Sequence, residues 1–297
     1  MQQASHALLD AYDSHAEKLI YVKPESDIEL PSLELQAYLS DALDRNELTA
    51  VFQPKTELKT GRVVGVESLA RWNSHMLGRI SPDEFIEAAE TSGLIGKLTI
   101  WSINNAAKQY AQWGDLAVPI AVNLSAKVIN QPGLVRQIQS ALRIWNVPPE
   151  ALVLEITETA VMDSPEQSMR CLKEISEMGI KLAIDDFGTG YSSLAYLKML
   201  PVSELKVDKS FVQQLATDPD DRKIVESIIN MAHNFDLKVI AEGIEDEISY
   251  EILMGMGCEI AQGYLVSKPL KPEQFEQWLR EDNWYRPVST QLEAAVA

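Results

Sequence analysis

The sequence predicts an α/β fold, a TIM-like (β/α)8 barrel with an antiparallel first strand, preceded by a short N-terminal helical extension. Three observations predict it. From residue 115 onward, six short apolar runs alternate with six amphipathic stretches, the order of parallel strands joined by crossover helices, and so many consecutive units favour a closed barrel over an open sheet. Upstream, residues 48–72 offer two β-rich runs separated by "LKTGR", whose Gly61 suits a tight turn, so this pair forms an antiparallel hairpin. The chain has 297 residues, 46% hydrophobic and 24% charged, which suits one soluble domain of barrel size plus an appendage.

Residues 1–23 carry a short amphipathic pattern ending in "IYVKP", which reads as a regulatory arm, a remnant of an upstream domain or a frayed tail; "ESDIELP" reads as a linker. Residues 31–45 form a lead-in helix with Leu35, Tyr38, Leu39, Ala42 and Leu43 on one face, so the domain division is an arm and lead-in helix at 1–45, a barrel at 46–281 and a flexible tail at 282–297. After the hairpin, "SPDEFIEAAETSG" has Ser81 as N-cap, Pro82 in the first turn and Gly93 at the close, followed by the helix "LTIWSINNAAKQYAQW". The strands that follow are "VPIAVNLS", "ALVLEITE", "KLAIDDF", "ELKVDKS", "KVIAEGI" and "EIAQGYLV". Among the helices between them, Ile224, Ile228, Met231 and Phe235 predict a core-facing stripe.

Composition excludes several classes. No apolar run approaches the roughly 20 residues of a membrane helix, and the N-terminus lacks the basic-then-apolar order of a secretion signal, so a cytoplasmic protein without membrane contact is expected. The net charge of −18, with no Lys/Arg cluster interleaved with aromatics, argues against a nucleic-acid polymer as partner; a small anionic ligand remains open if a cation bridges it to the acidic groups. Cys171 and Cys258 are the only cysteines, too few for a disulfide framework or a thiolate zinc site, and both are expected as buried thiols.

In a barrel of this kind the site lies at the C-terminal ends of the strands. The polar residues there are Glu67, Asn123, Glu155, Asp185, Asp186, Lys206, Asp208, Glu242 and Gln262. Taken singly, a strand-end glutamate reads as a loop hydrogen-bonder, Asn123 as a turn residue and Lys206 as a salt-bridge partner. Jointly they repel one another, because buried carboxylates are costly unless paired or bound to a metal. Hard oxygen donors without a histidine pair suit Mg2+ or Mn2+ rather than zinc. Asp185 could then bridge two ions while the adjacent Asp186 orients a ligand or water, and two such ions about 3.5 to 4 Å apart are a standard device for phosphodiester cleavage, with Lys206 aiding water activation.

The pieces "FQP", "GVESLARW", "VNLS", "EITE", "DDFGTGYSSL", "LKVDKSFV", "AEGIE" and "QGY" come in an order and spacing that resemble an EAL-type cyclic-di-GMP phosphodiesterase domain, from about residue 48 to 280. The resemblance implies hydrolysis of cyclic di-GMP to linear pGpG with two Mg2+ or Mn2+ ions per site. It implies Glu67, Asn123, Glu155 and Asp185 as ligands of the first metal, Asp186 and Glu242 as serving the second, and Lys206 as assisting the nucleophilic water. It further implies that Gln262 holds the water and substrate network, that Glu158 anchors the loop after Asp186, that Gln53 and Arg71 contact the dinucleotide, and that Asp208 and Glu245 support them. A homodimer through that loop and the helix from about Ser192 to Leu200 is implied as well.

Four positions depart from the family pattern: Ser68 stands in the signature triplet in place of alanine, Ser74 and His75 replace a His-Pro pair, and Phe52 replaces a commoner tyrosine. The rival reading is a non-catalytic cyclic-di-GMP receptor or protein-interaction module. Such receptors typically lose metal ligands or the loop motif, and this chain has lost neither.

Overall fold

The computed structural model describes residues 32–45, 47–157, 160, 165–189 and 194–281. The N-terminal arm, the linker, Glu158 and the C-terminal tail of the sequence reading lie outside the described residues.

Nine strands are described: β1 (Leu48–Glu57), β2 (Val63–Ser74), β3 (Gly78–Ile80), β4 (Ile120–Asn123), β5 (Leu152–Thr157), β6 (Lys181–Phe187), β7 (Glu204–Val207), β8 (Lys238–Ala241) and β9 (Ile260–Ala261). Their order, β1-β9-β8-β7-β6-β5-β4-β2, closes through a β1–β2 pairing into an eight-stranded barrel, with β3 added on the outer edge of β2. Strand β1 is antiparallel to both of its neighbours, β2 and β9, whereas β2 and β4 to β9 run parallel. The hairpin arises as its sequence predicts, with Gly61 at φ 68 in the turn.

Helix α1 (Ser32–Arg45) leads in, with Leu39 and Ala42 fully buried in the main core. Helix α2 (Pro82–Ser92) has a complete capping box between Ser81 and Glu84 and closes at Gly93, and α3 (Ile95–Trp113) follows it. Around the parallel strands come α4 (Ala126–Ile129), α5 (Leu134–Trp145), α6 (Pro165–Glu177), α7 (Leu194–Leu197), α8 (Lys209–Val212), α9 (Pro219–Asn234), α10 (Glu247–Gly255) and α11 (Pro272–Glu281). Among the described residues, no helix is long and apolar enough to cross a membrane.

Two expectations are corrected. The buried face of α9 is Val225, Ile228, Ile229 and Ala232, and Ile224 is exposed. Two overlapping stripes fit the 3.6-residue period there, and the one carrying Val225 and Ile229 packs against the strands, turning Ile224 to solvent. Cys258 is buried, but Cys171 on α6 is only half-buried.

The barrel interior explains where the site can be. Ala121, Val153 and Ala183 form a small buried cluster of their own. Each stands two residues before a polar group on the same strand, Asn123, Glu155 and Asp185, and so on the same inward face. Small side chains make the floor, and the polar groups stand in the mouth above it.

Candidate active site

The polar residues reach the barrel mouth from different heights. Glu67 lies within β2, directly across the ladder from Gln53 on β1, and Glu155 lies within β5. Asn123 ends β4, Asp185 is in β6 and Lys206 in β7, while Glu242 and Gln262 are the first residues after β8 and β9. The expectation that all stand at strand ends is thus met by some and not by Glu67, Glu155 and Asp185, which lie within their strands; strand tilt in a closed barrel contributes to this stagger.

The ammonium of Lys206 is the point of convergence. Its Nζ lies 2.6 Å from Glu242 Oε1, 2.9 Å from Asp185 Oδ1, 2.9 Å from Glu155 Oε2 and 3.6 Å from Glu67 Oε2. Lys206 and Glu155 are each 1% exposed, so water does not screen these contacts. Glu67 is held as well by two amides: Asn123 Nδ2 donates to Oε1 at 2.8 Å and Gln262 Nε2 to Oε2 at 2.6 Å. With its amide nitrogen so engaged, Asn123 keeps its carbonyl oxygen free of Glu67. Gln53 accepts from Gln262 at 3.3 Å and donates to the Ser267 carbonyl at 3.3 Å.

The carboxylates exceed the cations present. Glu67, Glu155, Asp185, Asp186 and Glu242 face two ammonium groups, Lys206 and Lys55. Burial opposes charge on Glu67, but Lys206, Lys55 and the two amide donors outweigh it and bring its pKa down to about 2. Glu242 goes the other way: burial pushes it up to about 8, and Asp185 and Glu67 add to that against the pull of Lys206. Burial likewise raises Glu155, and burial together with Asp185 and Asp208 raises Asp186. Burial alone would lower Lys206; its four carboxylates hold it well above the usual lysine value. Five acidic groups set around two ammonium groups call for further positive charge.

That requirement, and the chemistry of the donors, fit divalent cations. Asp185, Asp186 and Glu242 bring carboxylate oxygens within 4.8 Å of one another, and the buried Gln262 Oε1 has no hydrogen-bond partner among the described residues. All are hard oxygen donors of the kind Mg2+ and Mn2+ take. Asp186 is held at φ 53, a left-handed conformation uncommon for a residue with a side chain, with its N–H donated to Asp185 Oδ1 at 2.9 Å. The strand therefore turns between the two aspartates, which lets neighbours in sequence face one space.

The remaining predicted residues stand at or beyond the rim. Asp208 caps α8, accepting from the Ser210 N–H at 2.9 Å and from the Ser210 hydroxyl; burial opposes its charge, but these bonds hold its carboxyl below the usual range. Arg71 is half-buried and donates Nη1 to the Ala70 carbonyl at 2.8 Å. Glu245 is exposed, and no hydrogen bond or ion pair among the described residues joins it to the network.

The departures from the family pattern also find their places. Ser68 is buried, and Phe52 packs edge-on against Trp113 with ring centroids 4.9 Å apart. Ser74 is buried at the β2–β3 turn, where its Oγ accepts from the N–H groups of Met76 and Leu77 at 3.3 and 3.4 Å, while His75 points outward and is exposed. A serine side chain thus organises this turn.

Sequence reasoning missed Lys55. Its Nζ lies 2.5 Å from Glu155 Oε1 in a buried pair. A signal existed: Lys55 is two residues beyond Gln53 on the same strand, hence on the same inward face.

A closed barrel with a reversed first strand and a mouth of strand-borne hard oxygen donors around one lysine defines the class. The chain belongs to the EAL domain family, which it matches over residues 36–269. It is 42% identical over 245 residues to the bifunctional diguanylate cyclase/cyclic di-GMP phosphodiesterase MucR of Pseudomonas aeruginosa, covering 82% of this chain and 36% of that protein. It is 38% identical over 251 residues to the cyclic di-GMP phosphodiesterase NbdA of the same organism, covering 84% of this chain and 32% of that protein. The chain thus spans about a third of the length of these relatives. Among solved structures, that of the MucR phosphodiesterase in complex with cyclic di-GMP superposes with a TM-score of 0.78 at 41% identity, over 82% of this chain and 99% of that one.

Proposed function

We propose that this protein hydrolyses cyclic di-GMP to linear 5'-pGpG in a reaction that depends on two divalent cations, Mg2+ or Mn2+. The observation that carries this reading is the surplus of buried carboxylates around Lys206. Similarity to MucR and NbdA, both named cyclic di-GMP phosphodiesterases, supplies the substrate.

Glu67, Asn123, Glu155 and Asp185 would hold one ion, and Asp186 and Glu242 the other. When bound, such a pair lowers the pKa of a water at neutral pH and offsets charge on the leaving oxygen. The attacking water forms the new P–O bond as the bond to the ribose 3'-oxygen breaks, which leaves the phosphate on the 5' side. Lys206 takes its place beside the incoming water, where its ammonium offsets charge on the phosphoryl oxygens. Gln262 and Gln53 form a neutral amide pair that orients groups next to Glu67 without adding charge. Arg71, on the strand that carries Glu67, supplies a planar donor fork for a phosphate or a guanine edge. Asp208, Glu245 and Glu158 support the rim and the loop.

The reading includes a homodimer through the loop after Asp186. Gly188 takes φ 102 there, a conformation suited to glycine, and Met199 just beyond α7 is 65% exposed. Light scattering at micromolar concentration checks it, and a strictly monomeric, fully active protein would refute that part.

The test of function is incubation of purified protein with cyclic di-GMP and Mg2+, Mn2+ or chelator, followed by chromatography. Formation of pGpG only with metal is expected. Nucleotide that binds but survives with either metal would replace the enzyme with a receptor.

A further inference from the structure

Glu155 is gripped from two sides. Lys206 Nζ, on β7, lies 2.9 Å from Oε2, and Lys55 Nζ, on β1, lies 2.5 Å from Oε1. The two lysines differ in what else they touch. Lys206 is shared among four carboxylates, whereas the ion pair of Lys55 is with Glu155 alone among the described residues.

Lys55 also lies deeper than the site. It lines a cavity of about 120 Å3 at the opposite end of the barrel, together with Ala121, Val153 and Glu204, so its stem runs up from the small-residue floor to meet Glu155 from below. Its cross-strand partner, Gly65, adds no side chain on that face. A lysine that is 4% exposed is costly to bury, and a plain charge balance could be met more cheaply by omitting one carboxylate. A dedicated partner on one oxygen instead fixes how the other is presented.

We propose that Lys55 is a positioning residue for the metal site: it holds Oε1 of Glu155 so that Oε2 is turned into the cluster where the cations bind. This rests on the divalent-metal reading of the site. Lys206 can then loosen its hold on Glu155 when cations arrive, and the carboxylate keeps its orientation because Lys55 stays.

The proposal opposes the simple electrostatic expectation. Removing a positive charge near a cation site should tighten cation binding if Lys55 only balances charge; if Lys55 positions Glu155, removing it should weaken binding, and partners of metal ligands typically contribute about 10- to 100-fold in affinity. The experiment is Mn2+ titration by calorimetry on the full chain without nucleotide, comparing wild type with Lys55→Met, Glu155→Gln and the double variant. Lys55→Met is expected to bind Mn2+ at least tenfold more weakly, and to add little further loss in the Glu155→Gln background. Unchanged or tighter binding by Lys55→Met, or an equal loss with and without Glu155, overturns the proposal while the metal reading stands. A wild-type chain that takes up no Mn2+ overturns both. Should Lys55→Met fail to fold, Lys55→Gln decides in the same titration: its shorter, neutral amide stops short of Glu155, so weaker binding supports the assignment and unchanged binding overturns it.

Discussion

The barrel is built from two unlike parts, the antiparallel pair β1/β2 and the parallel run β4 to β9. The parallel run delivers its polar groups near where each strand gives way to a loop, ending with Glu242 and Gln262 just past their strands. The antiparallel pair delivers Gln53, Lys55 and Glu67 from within strands of 10 and 12 residues, with Gln53 and Glu67 directly opposed in the ladder. The electrostatics follow the division. Glu67, locked in the ladder and met by two lysines and two amides that outweigh its burial, sits at about 2, and Glu242, buried beside other carboxylates at a loop start, sits at about 8. The antiparallel pair therefore fixes a charged carboxylate in place, and the parallel run holds, around the firmly charged Lys206, carboxylates such as Glu242 and Glu155 whose charge burial opposes.

The largest effect that could break this contrast is at Glu67. Glu67→Gln keeps the shape and the ladder but removes the charge, and hydrolysis of cyclic di-GMP is expected to fall by about 10³-fold or more, in the range of losing a group essential to the chemistry. The melting temperature should fall, because the charge that two lysines and two amide donors stabilise is lost and an amide N–H2 then faces one of those donors. Activity within tenfold of wild type, by the chromatographic assay, would reduce the antiparallel pair to scaffold.

A second contrast is steric. A Cβ on Gly263, next to Gln262, would lie 2.0 Å from the Ile244 carbonyl oxygen and 2.3 Å from its nitrogen, both backbone atoms. Those atoms are tied down: Ile244 donates to the Gln262 carbonyl at 3.2 Å and accepts from Leu265 at 3.0 Å. Gly263→Ala should cost about 3 kcal/mol of stability, as overpacking that cannot relax does. On β2, a Cβ at Gly65 would meet only the Pro119 carbonyl oxygen, at 3.1 Å, and Gly65→Ala should cost less than about 1 kcal/mol. Urea denaturation of both variants measures the difference. Equal losses would mean that the backbone after β9 gives way as readily as that of the hairpin.

The same division governs what could be read from the chain. In the parallel run most apolar segments are followed at once by a polar residue, so Asn123, Glu155, Asp185, Glu242 and Gln262 could be singled out by position alone. In the hairpin the inward face is a period-2 subset of a mixed strand, and Lys55 passes for one of many surface lysines unless the facing Gln53 is used to fix the phase. Helix positions were legible where caps are local, as at Ser81 and Gly93. The burial phase of α9 was not, because its apolar residues satisfy two overlapping stripes and only packing against the strands chooses between them. The stagger of Glu67 and Glu155 was hidden too, since the tilt of strands around a closed sheet contributes to it.

The smallest effect compares two helix caps. Ser81 caps α2, after the hairpin, accepting from the Glu84 N–H at 3.3 Å while Glu84 accepts from the Ser81 N–H at 3.1 Å. Asp246 caps α10, accepting from the N–H and the hydroxyl of Ser249, each at 2.8 Å. Replacing either by alanine should cost about 1 kcal/mol of stability. Their consequences should differ, because Asp246 ends the short loop that begins with Glu242, while Ser81 lies beyond β3, outside the site. Loosening that cap gives the loop more conformations in which Glu242 points elsewhere, so Asp246→Ala should weaken Mn2+ binding in the same calorimetric titration and Ser81→Ala should not. Equal Mn2+ affinities at equal stability loss would place the hold on Glu242 in Lys206 alone, and the loop after β8 would then need no support from its helix.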